Sequence, residues 1–157
     1  MILRQIQAPD VTKVAQLIRN SLEEFGLDKP GTAYFDPQLD DLWSYYNKLP
    51  RSAYYVIEEA EEILGVGGFG PISESIAELQ KLYVSSDQRG RGLSSLLLKK
   101  IFTAAKEEGY AQLYLETAKE LASAITVYEH FGFEKLPQAL PNEAGHSAMD
   151  IWMIKEL

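Results

Sequence analysis

Three strand-like segments follow one another with no helix between them, and the third runs directly into a glycine–arginine turn and a helix. The segments are "SAYYVIEE", "ILGVGGFGPI" and "IAELQKLYVS". They are rich in β-branched and aromatic residues, and the polar "EAEE" between the first two predicts an antiparallel hairpin. The stretch "SSDQRGRGLSSLLLKK", residues 85–100, then opens a helix whose apolar face is Leu93, Leu96, Leu97, Ile101, Ala104 and Ala105, ending near Gly109. The next strand, "AQLYLET", can pair parallel to the strand ending at Val84, because a helical crossover of this length joins parallel strands right-handedly. A hairpin feeding a parallel crossover requires a mixed sheet.

The remaining segments supply layers for that sheet. "ILRQI" reads as an opening strand, Asp10 as an N-cap, and Val11, Val14, Leu17, Ile18, Leu22 and Phe25 as one helical face stopped by Gly26. "LDKPGTAYFD" is a loop, and Asp36-Pro37 predicts the start of a second helix with Leu39, Leu42, Trp43 and Tyr46 on its buried stripe. A later helix covers about Ala122 to Phe131 and is stopped by Gly132; "FEKL" and "AMDIWMIKEL" close the chain as two strands around a Pro/Asn/Gly loop at 137–147. Gly65, Gly67, Gly68 and Gly70 in one strand predict a bulge or a close approach. The order βαα-ββ-β-α-β-α-ββ is an α/β sandwich around a mixed sheet, and the 157 residues are expected to form a single domain, 1–157.

Charge and composition narrow the function. A net charge of −8 argues against a nucleic-acid partner, which needs a basic face, and is compatible with a cationic substrate such as an amine. The absence of cysteine removes disulfides, thiolate metal ligands and a cysteine nucleophile. With His130 and His146 the only histidines, no metal is expected. No apolar run approaches the roughly 18–20 residues that span a bilayer, and the N-terminal residues lack a secretory pattern. No membrane partner and a cytoplasmic location are the expectations.

The turn itself has a chemistry. A helix N-terminus presents unpaired N–H groups and partial positive charge, and glycines bring those amides close to a ligand. Arg89 and Arg91 add full charges. The stretch Arg89–Ser94 therefore reads as an anion cradle for phosphate or pyrophosphate. A Walker loop is absent. Gly90-Arg91-Gly92-Leu93-Ser94-Ser95 approaches a dinucleotide fingerprint, with Glu116 at about the right distance, but the third glycine is missing and only about 40 residues follow Glu116, too few for the rest of a doubly wound sheet.

"LQKLYVSSDQRGRGLSSLLLKK" resembles the coenzyme-A-binding motif of the GNAT superfamily of N-acetyltransferases, whose signature is Arg/Gln-x-x-Gly-x-Gly/Ala. Arg89, Gly92 and Ser94 occupy the three positions, with Ser94 departing from Gly/Ala. "ASAITVYEHFGFEK" is similar to the second conserved block, through Ala124, Tyr128, Glu129, Gly132 and Phe133; seven residues before the tyrosine, where many members carry asparagine, stands Leu121. The resemblance implies a mostly antiparallel mixed sheet with a central, splayed parallel pair and helices on both faces. It also implies an acetyl-CoA-dependent N-acetyltransferase whose acceptor, a small-molecule amine or a protein amino group, attacks directly in a ternary complex. The alternative is an acyl-CoA-binding sensor without turnover.

Residue by residue, the resemblance assigns the thioester and pantetheine to backbone around Leu82, Tyr83 and Val84, and the pyrophosphate to Arg89, Gly90, Arg91, Gly92, Leu93 and Ser94. Tyr128 is the candidate acid for the departing sulfur, against a plain core aromatic beside Phe131 and Phe133. Glu78 is the candidate base, against an exposed strand-end carboxylate. His146, in "NEAGHSAMDIWM", is a further candidate for accepting a proton, against a turn residue bonded to backbone. Tyr34 and Phe35, in the loop before an acidic stretch, are candidate acceptor-binding residues. An edge strand at the C-terminus offers a surface for a homodimer.

Overall fold

A computed structural model describes residues 1–143 and 145–157. The strands are β1 (Ile2–Gln5), β2 (Ala53–Glu59), β3 (Glu62–Pro71), β4 (Ile76–Val84), β5 (Gln112–Thr117), β6 (Glu134–Leu136) and β7 (Ile151–Glu156). The helices are α1 (Val11–Glu24), α2 (Leu42–Lys48), α3 (Leu93–Glu107) and α4 (Ala122–His130). These strands form one sheet in the order β1-β2-β3-β4-β5-β7-β6. Every neighbouring pair is antiparallel except β4 and β5. No helix among the described residues is long and apolar enough to cross a membrane.

Alternation along the strands sends successive side chains to opposite faces, and each face has its own helices. Tyr54, Val56, Ile63 and Val66 pack with Val14, Ile18 and Leu22 of α1 and with Leu42 and Tyr46 of α2. Tyr55, Ile57, Leu64, Phe69 and Leu79 pack with Leu97 and Ile101 of α3 and with Ile125 and Tyr128 of α4. Helices therefore cover both faces, as the sequence implies.

Three local expectations are corrected. Asp10 does not cap α1: it closes a 3-10 turn by accepting from the Gln7 amide at 2.7 Å, and Arg4 holds both its oxygens at 2.7 and 2.9 Å. The second helix does not begin at Asp36-Pro37. Asp36 is extended, a 3-10 turn spans Leu39–Asp41, and α2 starts at Leu42 with Asp41 accepting from the Ser44 amide. This shift turns Trp43 outward, 39% exposed, while Leu39, Leu42 and Tyr46 are buried. The C-terminal strand is not an edge either, because β7 is inserted between β5 and β6; the expected homodimer surface is thus not at that strand.

The sheet is irregular where β4 approaches its end. Gln80 faces Gly68 and Tyr83 faces Val66, so Lys81 and Leu82 together oppose the single Gly67. This is a β-bulge. Lys81 takes the left-handed conformation, with φ 49°, and its carbonyl accepts from the Tyr54 hydroxyl at 2.7 Å. A Cβ at Gly67 would stand 2.7 Å from Leu82 Cδ1, so the Leu82 side chain would have to shift to admit one. Beyond it, β4 and β5 separate: their parallel pairing is confined to Ile76–Glu78 against Gln112–Tyr114.

Candidate active site

The separation of β4 from β5 opens a cleft of about 450 Å³ between the two strands, floored by Leu79 and Leu115 and closed by the starts of α3 and α4. At one end lies the glycine–arginine turn. Gly90 and Gly92 have φ of 82° and 74°, a conformation that costs an L-residue roughly 1–2 kcal/mol. No atom lies within 4 Å of where a Cβ would stand at either glycine, so open space adjoins both. Among the described residues, the amides of 89–95 donate to no protein acceptor; the first intrahelical donor is Leu96, to Gly92 at 3.1 Å. Several free N–H groups at the start of a 15-residue helix make an anion site with no side chain required.

The two arginines are placed differently. Arg89 lines the cleft, lies 5.3 Å from the Phe25 ring centre, and is held by Glu24 at 2.5 and 2.8 Å. Arg91 pairs with Glu59 at 3.0 Å and with Gln88 at 2.6 Å, and it is not part of the cleft wall. The positive charge expected of the turn is therefore partly matched by carboxylates, and the backbone amides are the donors left over. Gly92→Ala should lower Tm by a few degrees, as ~1 kcal/mol does in a chain of this size. The larger effect should fall on coenzyme A binding, since the new methyl would project into open space beside the amides. A calorimetric titration with coenzyme A checks this; unchanged affinity would remove the cradle from Gly92.

Leu82, Tyr83 and Val84 line the same cleft, as do Leu93 and Ser94. Leu121, at the entry to α4, contributes an aliphatic wall. Tyr128 lies on the wall formed by α4, edge-on to Phe133 with ring centres 5.7 Å apart. Burial raises its hydroxyl well above the usual tyrosine range, so it keeps its proton at neutral pH. It is both core aromatic and cleft residue.

A second, smaller cavity of about 50 Å³ adjoins the cleft and shares Leu79, Lys81, Tyr83, Glu116 and Met149 with it. Glu78 lines it and is 5% exposed, which removes the expectation of a solvated strand-end carboxylate. Burial pushes the Glu78 carboxyl up to about 7, against hydrogen bonds from Gln80 and Asn142 and with reinforcement from the charge of Glu116. Those bonds are 2.9 Å from Gln80 Nε2 to Oε1 and 2.8 Å from Asn142 Nδ2 to Oε2. Gln80 is fixed in turn by the Tyr46 hydroxyl, which donates to its Oε1 at 2.6 Å.

His146 also borders this cavity, through contacts that its sequence neighbourhood does not announce. Its Nε2 faces both oxygens of Asp36 at 3.0 and 2.9 Å, and its amide donates to Glu116 Oε1 at 3.1 Å. Asp36 is joined from another side by Lys81 Nζ at 2.8 Å. Burial raises the Asp36 carboxyl, but the hydrogen bond with His146 and the charge of Lys81 outweigh this and hold it below the usual range. Sequence reasoning missed Lys81, and it noted Asp36 only as a helix start in an acidic stretch, without these partners. A lysine in an apolar strand is a signal only once its backbone is known to bulge.

Tyr34 and Phe35 do not reach either cavity. A 3-10 turn over Ala33–Phe35, capped by Thr32, leaves Phe35 60% exposed and sends the Tyr34 hydroxyl to Glu23 at 2.6 Å. The wall of the smaller cavity takes Ala33, Gln38 and Tyr45 from this region instead.

A split parallel pair, a turn with free amides before α3 and a buried carboxyl beside the split lie together in one region. The sequence profile of the acetyltransferase (GNAT) family matches residues 16–133, and the chain belongs to that family. It is an acyltransferase by class. The uncharacterized N-acetyltransferase YjgM of Escherichia coli K12 is 38% identical over 161 residues, covering 99% of this chain and 95% of that protein. Among solved structures, a GNAT-family acetyltransferase of Staphylococcus aureus Mu50 superposes with a TM-score of 0.89 at 18% identity, covering 99% of this chain and 98% of that one. An aminoglycoside 6′-N-acetyltransferase solved with coenzyme A does so at 0.74 and 19% identity, covering 99% and 97%. These structural likenesses establish the same fold.

Proposed function

We propose that the chain transfers an acetyl group from acetyl-CoA to a primary amine by direct attack, with both substrates bound at once. The observation that carries this is the junction of the two cavities: free backbone amides and a protonated tyrosine line the larger one, and a buried carboxyl poised near neutrality lines the smaller. The coenzyme A bound to the aminoglycoside 6′-N-acetyltransferase and the name of the Escherichia coli relative support it. The residues present suit coenzyme A: the amides of 89–95 suit its pyrophosphate, and the unpaired edge of β4 from Leu82 to Val84 suits its pantetheine and thioester carbonyl. When bound, acetyl-CoA supplies an acyl group activated as a thioester.

Glu78 takes one proton from the acceptor ammonium, directly or through water, and its raised pKa makes it a usable base near pH 7. The amine nitrogen then bonds to the acyl carbon as the carbon–sulfur bond breaks. Tyr128 gives its proton to the departing sulfur and recovers one from the amine nitrogen. The balance is ammonium plus thioester to amide, thiol and one solvent proton. His146, already bonded to Asp36, orders the wall rather than serving as base.

The test is thiol release from acetyl-CoA with a panel of primary amines, followed against pH. Turnover should rise as pH increases through about 7, where Glu78 loses its proton. Tyr128→Phe should lower kcat by roughly 10–100-fold with little change in coenzyme A affinity. Equal kcat in Tyr128→Phe at every pH would remove the acid from the mechanism.

A further inference from the structure

The smaller cavity carries both signs of charge. Glu78 and Glu116 line it, and so does Lys81, whose side chain is 6% exposed. The carboxylates come from the parallel strands β4 and β5, and the ammonium comes from the bulge in β4. A bulge is what brings Lys81 here, and it holds this non-glycine residue at φ 49°. Such strain persists where the surroundings over-determine it, and it concentrates at ligand-binding positions.

Lys81 has hydrogen-bonding capacity to spare. An ammonium has three N–H donors, and among the described residues its one acidic partner is Asp36, at 2.8 Å. Asp36 is itself shared with His146, so its charge is divided between two basic groups. The Glu78 oxygens already accept from Gln80 and Asn142, and each oxygen keeps a lone pair for a further donor.

Resting on the acetyltransferase reading above, we infer that the acceptor is a small zwitterion of amino-acid type. Its ammonium is received by Glu78 and Glu116, and its carboxylate by Lys81. Size is compatible: about 50 Å³ holds a few water-sized groups, enough for the ammonium and carboxylate head of such a molecule. Charge agrees as well. A polyamine brings no carboxylate for the remaining donors of Lys81, whose single acidic partner among the described residues is Asp36. A simple amine would leave Lys81 without its extra partner.

The experiment compares free L-amino acids with their own amides, with the matching decarboxylated amines, and with spermidine, measuring thiol release from acetyl-CoA. At least one amino acid should be used with kcat/KM about 10-fold or more above its amide, mainly through KM, since a charged partner is lost. In the double variant Lys81→Met/Asp36→Asn, which removes both members of the buried pair together, that ratio should fall towards one. Amides, plain amines or spermidine used as well as amino acids by the unaltered protein would overturn the inference and leave the acetyltransferase reading intact. No thiol release with any amine would overturn that reading, and the inference with it.

Discussion

Glu78→Gln should lower turnover by roughly 100-fold or more and at the same time make the protein more stable above pH 7. In the proposed mechanism, the first effect follows from losing the group that takes the acceptor's proton. The second follows from linkage. Folding raises the Glu78 carboxyl from 4.5 to about 7, so the folded state binds its proton more tightly than the unfolded chain. The stability associated with that proton is fully present below about pH 4.5 and is lost as pH rises through 7. A shift of this size corresponds to at most about 3 kcal/mol. Glutamine is neutral throughout and avoids the loss, but it offers one oxygen where the carboxylate accepts from both Gln80 and Asn142. One of those amides must turn, which reduces the gain to about 1–2 kcal/mol. Thermal unfolding of both proteins from pH 4.5 to 8.5 checks this: the variant's advantage should grow with pH. A variant equally active, or less stable at pH 8 than at pH 5 relative to its parent, would contradict the assignment.

Arg89→Glu should weaken coenzyme A binding by about 10–100-fold while changing stability little, because the pair it breaks lies at the surface. Arg89 is held bidentately by Glu24 beside the cleft, so the local charge is balanced as the protein stands. The substitution leaves two carboxylates in the place of a matched pair, facing the approach of a pyrophosphate. The defect should shrink as salt is raised from 0.05 to 0.5 M, since screening shortens to a few ångströms (~10 Å at 0.1 M). Arg89→Ala should fall between the two. Isothermal titration at three salt concentrations makes the comparison, and identical affinities would show that the amides bind without help from this side chain.

Local sequence made the cradle legible. Its parts lie within seven consecutive residues, and a helix N-terminus exposes its amides whatever the rest of the chain does. The layered fold was legible for a similar reason, since strand alternation and helical periodicity are properties of short windows. The hairpin turn shows how far such reading extends. "EAEE" marks the position, yet Ala60 and Glu61 adopt φ of 51° and 66° without a glycine. The partner strands impose that geometry.

The smaller cavity was not legible in the same way. Tyr34 and Phe35 drew notice as aromatic loop residues, but a three-residue turn sends them outward and brings Ala33, Gln38 and Tyr45 to the cavity. Asp36 read as a helix start; its partners are 45 and 110 residues away, at Lys81 and His146. What the sequence by itself determined was the class of protein: a mixed α/β sheet and an amide cradle before α3, because both follow from contacts close along the chain. What only the tertiary structure decided was the chemistry of the smaller cavity. The β4 bulge, the burial that carries Glu78 to about 7 and the Lys81–Asp36–His146 cluster arise where distant segments exclude water together. A carboxylate's proton affinity is set by that exclusion, and no short window of sequence contains it.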